Sequence, residues 1–249
     1  MLGLGLTAAA FCTAALSGIA GLGGGTILIG LFYAAGLTPV QAVPLFAAVQ
    51  LVSNGSRVLA YVRHVHWGAT GWFLLASVPA TFVVAPWIER IDANWVQILL
   101  ALLILVSLIP ARGGEARAPL PPRTSFIVAG LLNGAFGLVV GATGLLVGRL
   151  FLRPEWRRET TLGTMALTQA LGHLLRVLAY GFVGFSAFTQ PRLLLALCAA
   201  VIAGTWLGRR LNAYLDEERF ALLFKTLLVL LSIKLLWEGG TNLLAGRLT

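Results

Sequence analysis

Acidic residues are scarce in this chain of 249 residues: Asp and Glu together number 9, and all charged residues make up 11%. Soluble domains carry roughly 25%. So little charge cannot clothe a water-soluble fold of this length, which excludes a soluble enzyme, and the high apolar content excludes a disordered chain. Cysteine is nearly absent, and Cys12 and Cys198 each lie within an apolar stretch. They read as small buried hydrophobes, not as a disulfide or redox pair. His64 and His66 have His-x-His spacing but no third ligand nearby, so no metal and no cofactor is expected. G-x-S-x-G, H-E-x-x-H and Walker patterns are missing, and no pair of acids occupies an apolar run. No catalytic constellation is legible.

What is abundant is apolar. Hydrophobic residues make up 58% of the chain, and the mean hydropathy is +0.89. That composition describes an integral membrane protein, multi-pass and placed in the cell (inner) membrane. The net charge of +9 could suit nucleic acid, but the arginines sit between apolar segments and not along one face. They fit the positive-inside bias of membrane loops, and no nucleic acid is expected. The N-terminus has no basic region or cleavage site and reads as part of the mature fold. Eight apolar segments are legible, approximately 3–34, 38–62, 69–88, 94–110, 125–150, 160–182, 191–208 and 219–237, each long enough as helix to cross a bilayer.

A basic Pro/Gly linker, 111–124, divides a first half, 1–110, from a second, 125–249. Ser17-Gly18-Ile19-Ala20-Gly21 aligns with Asn133-Gly134-Ala135-Phe136-Gly137, and Arg57-Val58-Leu59-Ala60-Tyr61 recurs unchanged as Arg176-Val177-Leu178-Ala179-Tyr180. The same register pairs Gln50 with Gln169 and Asn54 with His173. Internal repeats of this kind are a transporter signature.

The first segment of each half is interrupted by glycine. Gly21-Leu22-Gly23-Gly24-Gly25 breaks residues 3–34, and Gly134, Gly137, Gly141 and Gly144 punctuate 125–150. Two explanations compete for the second cluster: a break lining a cavity, or close helix packing through small residues. Arginine placement bears on the topology. If 125–150 enters and leaves on one side, Arg63, Arg112, Arg117, Arg123, Arg149, Arg153, Arg157, Arg158, Arg209, Arg210 and Arg219 share a side, opposite Arg90, Arg192 and Arg247. That asymmetry obeys the positive-inside rule. The first segment has no charges, and its hairpin is inferred from the repeat. The expected fold is therefore all-α: two inverted repeats, each one glycine-broken re-entrant hairpin plus three transmembrane helices.

A broken hairpin leaves a half-helix N-terminus near the midplane, where free N–H groups attract an anion. The candidates are Gly23-Gly24-Gly25-Thr26 and Gly141-Ala142-Thr143-Gly144. Gln50, Asn54, Gln169 and His173 recur at a spacing of four on one helix face, either as interhelical glue or as pathway lining. His173 is also the one candidate carrier of a coupling proton. Arg57 and Arg176 either snorkel to headgroups or act as gates that attract the anion. These residues point to a secondary transporter of a small anion working in the lipid bilayer. An anion channel of the same architecture is the main alternative, an intramembrane enzyme or a non-transporting subunit a third class, and a homodimer an open option.

The run Gly18-Ile19-Ala20-Gly21-Leu22-Gly23-Gly24-Gly25, with Leu28 and then Ala35-Gly36-Leu37-Thr38-Pro39-Val40-Gln41-Ala42, resembles the TauE/SafE family. Gly204-Thr205-Trp206-Leu207-Gly208-Arg209-Arg210-Leu211 is similar to that family's small-residue stretch. The resemblance covers essentially the whole chain and implies transport of sulfite, a sulfonate or a related sulfur anion. One departure stands out. Where family members often continue with Ala-Thr-Ser or Ala-Thr-Asn, this chain has Pro44-Leu45-Phe46, which implies a larger or more apolar anion.

Overall fold

The computed structural model describes residues 2–20, 23–109, 120–211 and 217–245, without the side chains of residues 18–20, 209, 217 and 219. Most of the linker (111–119), Gly21, Leu22 and Arg247 lie outside the described residues. The described chain is helix and connecting turn: α1 (Leu2–Ala20), α2 (Gly24–Ala34), α3 (Pro39–Tyr61), α4 (Trp67–Val84), α5 (Ala93–Leu108), α6 (Pro122–Val140), α7 (Gly144–Gly148), α8 (Arg158–Phe182), α9 (Pro191–Leu211) and α10 (Glu217–Ala245).

Local chemistry explains the punctuation. Gly23, with φ 94°, precedes α2, and Gly141, with φ 89°, follows α6. An L-residue pays roughly 1–2 kcal/mol for this left-handed backbone and glycine does not. Both apolar segments that carry glycine clusters are thus broken at a glycine. α2 and α8 end alike: Gly36 and Gly184 take positive φ, while Leu37 N–H donates to the Phe32 carbonyl (3.1 Å) and Phe185 N–H to the Tyr180 carbonyl (2.8 Å). α3 opens with a Thr38/Gln41 capping box and Pro39 in its first turn.

Five helical stretches are long and apolar enough to cross a membrane, one in each of α3, α4, α6, α9 and α10. This differs from the expected six in three ways: α6, expected within a re-entrant hairpin, is itself among the five, while α5 and α8 are not. α5 has 16 residues, about 24 Å, and falls short of the hydrocarbon thickness. α8 has 25 residues but spends many of them on polar side chains, and Thr164, Thr168, Gln169, His173 and Arg176 are all buried. Its polar face is turned into the protein.

The principal packing partners are α1 with α9, α4 with α6, α3 with α8 and α5 with α10. Glycines set the first two. A Cβ on Gly204 would strike the Phe11 carbonyl and one on Gly208 the Ala15 carbonyl, so α1 and α9 run in the same direction. Gly130 and Gly134 meet the Phe73 and Ser77 carbonyls in the same way, so α6 and α4 are also parallel. By contrast, the start of α8 at Gly163 abuts Tyr61 at the end of α3, and Gly239 near the end of α10 abuts Asn94 at the start of α5. Those two pairs are antiparallel. Because lipid is as apolar as leucine, such close backbone contacts and interhelical hydrogen bonds hold the helices together. A second cluster of Phe73, Phe126, Phe151 and Met165 packs with Trp156, which stacks on Phe126 and His66.

Candidate functional site

The two glycine breaks and the middles of α3 and α8 meet around one cavity of about 60 Å³. Its wall includes Gly23, Gly24, Gly25, Thr26, Gln50, Asn54, Arg57, Ala142, Thr143, Gly144, Gln169 and His173. Two expected residues lie elsewhere. Gly141 faces Ile29 and Val43 and serves as the turn after α6. Arg176 is 1% exposed and sits behind His173 instead of at a mouth.

Each glycine has a separate task. A Cβ on Gly24 would enter the Thr13 carbonyl and Ser17, so Gly24 lets α2 start against α1. A Cβ on Gly25 would occupy the place of the Gln50 amide, so Gly25 lets that side chain approach the helix end. No side chain caps α2, and its first N–H groups carry the partial positive charge of a helix start. The corresponding end in the second half differs from expectation. α7 is only 5 residues long before a single 3₁₀ turn, and so brings a smaller dipole.

The polar contacts repeat between halves. Arg57 Nη2 donates to Ser17 Oγ at 3.0 Å, and Arg176 Nη2 donates to Asn133 Oδ1 at 2.6 Å. Ser17 and Asn133 are themselves aligned residues. Asn133 also accepts from Thr143 Oγ1 at 3.1 Å and donates to Ser77 Oγ at 3.3 Å, tying α4, α6, α8 and the second break together. Arg176 Nη1 lies 2.7 Å from His173 Nδ1. Among the described residues no carboxylate bonds to Arg176, and no group of three metal-ligating side chains occurs. Gln169 is 8% exposed, and its Nε2 is buried without a hydrogen-bond partner.

Sequence reasoning did not single out Thr13, Ser53 or Phe46 as lining residues, and it used Ser17 and Asn133 only to align the halves. Polar residues one turn from Ser17, or beside Asn54, were available signals. Phe46, from the Pro44-Leu45-Phe46 departure, is 1% exposed, lines the cavity and packs edge-on to His173 with centroids 5.5 Å apart.

A cavity lined by amide, hydroxyl, imidazole and backbone groups and by Arg57, with no acid among its described lining residues, is chemically suited to a small anion. No curated protein and no solved structure matches the chain. The family model described as sulfite exporter TauE/SafE matches residues 6–235, spanning both halves and every cavity-lining residue. With its apolar helices, the chain is a multi-pass membrane protein that belongs to the TauE/SafE sulfite exporter family.

Proposed function

We propose that the protein is a secondary transporter of the cell membrane that binds a small sulfur-containing anion in this cavity and opens it alternately to either side. The observation that carries this reading is Gln169. A buried amide donor without a partner costs about 1–3 kcal/mol, and an oxyanion beside it would satisfy it. The uncapped start of α2 and the half-buried Arg57 add attraction from the other side of the cavity.

Alternating access rests on the reading of residues 1–110 and 125–249 as inverted repeats. Support comes from the direction of like helices. α3 and its counterpart α8 are antiparallel, as are α5 and α10. The hairpin reading has its own support. Leu2 and Leu6 share a cavity with Ala35, Gly36 and Leu37, bringing the start of α1 to the end of α2. Arg153, just past α7, donates to the Leu120 carbonyl just before α6 at 2.9 Å. In this reading each hairpin enters and leaves on one side.

His173 then acts as a fixed donor. A guanidinium has no acceptor, so Nδ1 accepts from Arg176 and the ring proton resides on Nε2. Carrying a coupling proton would require His173 to surrender that bond beside a buried cation.

The test is counterflow of labelled sulfite in liposomes containing the purified protein. Saturable exchange, inhibited by sulfur anions and not by chloride, is the expected result. Absence of exchange by folded, inserted protein would end the transporter reading, and single-channel currents far above carrier turnover would replace it with a channel.

A further inference from the structure

We infer that the anion passes through a second cavity, where the start of α1 meets the end of α2. Ala10, Phe32, Val49 and Leu197 form the gate between that mouth and the anion site. The inference rests on the proposed transport function and adds the route that the anion takes.

Four helices carry the same pattern. On α1, Ala14 lines the anion site, Leu6 lines the second cavity, and Ala10 lies midway. On α3 the series is Ser53, Val49 and Leu45, and on α9 it is Val201, Leu197 and Leu193. α2 follows suit with Leu28, Phe32 and, just past its end, Gly36. Steps of four keep each series on one helix face. The four middle residues are all 0% exposed and belong to one packed cluster. The helices close a ring, since α1 and α3 each pack against both α2 and α9. The two cavities thus face each other along that ring, about 12 Å apart, with the middle residues filling the space between.

The filling is apolar and offers no donor. An anion entering it would shed its hydration with nothing in exchange, which is how apolar constrictions stop ions. The second cavity suits an anion better. Gln41, Ser186, Thr189 and Gln190 line it and are exposed, and no acid occurs among its described lining residues.

The backbone is weakest where the gate would have to yield. Pro44 lies inside α3, between the cavity-lining Gln41 and the gate residue Val49. Proline has no N–H for the Val40 carbonyl, so the helix ladder is interrupted there. Gly36 turns the chain between α2 and α3 with φ 85°. A swing of the α2 end and the α3 start about Pro44 would open the gate from the second cavity.

The experiment places single cysteines in protein carrying Cys12→Ala and Cys198→Ala. Leu193→Cys reports on the mouth and Val49→Cys on the gate, with Leu197→Cys in its place if that variant does not fold. A membrane-impermeant thiosulfonate is applied to liposomes, and labelling is followed together with sulfite counterflow. Leu193→Cys should label without sulfite, and labelling should abolish exchange while leaving the thermal midpoint unchanged. Val49→Cys should label about tenfold faster during sulfite exchange than at rest, because the open state is a minor one at rest. Exchange that survives full labelling of Leu193→Cys overturns the mouth, and gate labelling that sulfite does not change overturns the gate. In either case the transporter reading stands. Absence of exchange by folded wild-type protein removes the transporter reading and the gate with it.

Discussion

Arg176 holds His173 from one turn further along the same helix, with Nη1 2.7 Å from the imidazole Nδ1. The donor's identity fixes the tautomer of the acceptor, so the histidine is neutral with its proton on Nε2. Glutamine can reproduce both functions, its amide oxygen accepting from Arg176 and its nitrogen donating in place of Nε2. His173→Gln is therefore expected to keep sulfite exchange within about threefold of wild type, with the same pH profile. Counterflow measured across a pH series checks this. Loss of pH dependence in the variant would restore His173 as a proton carrier.

Gln169 should separate stability from binding. Its Nε2 is buried and unpaired, so Gln169→Leu removes an unsatisfied group from the empty protein and should raise the thermal midpoint or leave it unchanged. The same change removes a donor to the anion, worth about 1.5–3 kcal/mol when the acceptor is charged. Half-saturation for sulfite should rise by about tenfold or more. A fall in both stability and affinity would show that the amide is structural.

The adjacent glycines of α2 should behave differently. Alanine at Gly24 meets the Thr13 backbone and Ser17, neither of which can yield, whereas alanine at Gly25 meets the mobile end of Gln50. Gly24→Ala is expected to lower the midpoint and the yield of folded protein, by about 1–3 kcal/mol. Gly25→Ala should fold and lose affinity because Gln50 is displaced. Thermal unfolding and counterflow on the two variants check both halves of this statement.

Much of this arrangement was legible because backbone chemistry is local. A left-handed turn in an apolar segment calls for glycine, and Gly23 and Gly141 mark both breaks. The repeat likewise led to Gln50, Asn54, Gln169 and His173, which all line the cavity. The fate of the arginines was not legible. Arg57 and Arg176 are followed by the same four residues, yet one lines the cavity and the other is sealed behind His173. That depends on what α6 presents: Gly137 leaves room for the guanidinium, and Asn133 receives it. Gly134 and Gly137 also show that break and packing were not exclusive explanations. Gly134 lies against the Ser77 carbonyl of α4, while the break falls four residues past Gly137.

Gly208 should be among the least tolerant positions outside the cavity. A Cβ there runs into the backbone of Ala15, so Gly208→Leu must push α9 away from α1. Loss of folded, inserted protein is the expected outcome, read by detergent-resistant gel filtration. A substitution that leaves the elution profile and midpoint intact would remove the close α1–α9 approach from the account.

The exchange of partners between halves reaches into how the protein is made. α1 is synthesised well before α9, where its glycine-lined partner surface lies, and α4 finds its own in α6. Neither half contains the surface its opening helix needs. A ribosome that has delivered the first half has delivered a set of helices whose most extensive contacts are still untranslated. Cutting the chain at its linker should thus yield two pieces that are each degraded when expressed alone and rescued when expressed together. Pairing can begin when α6 and α8 arrive, and the α1–α9 contact closes after them.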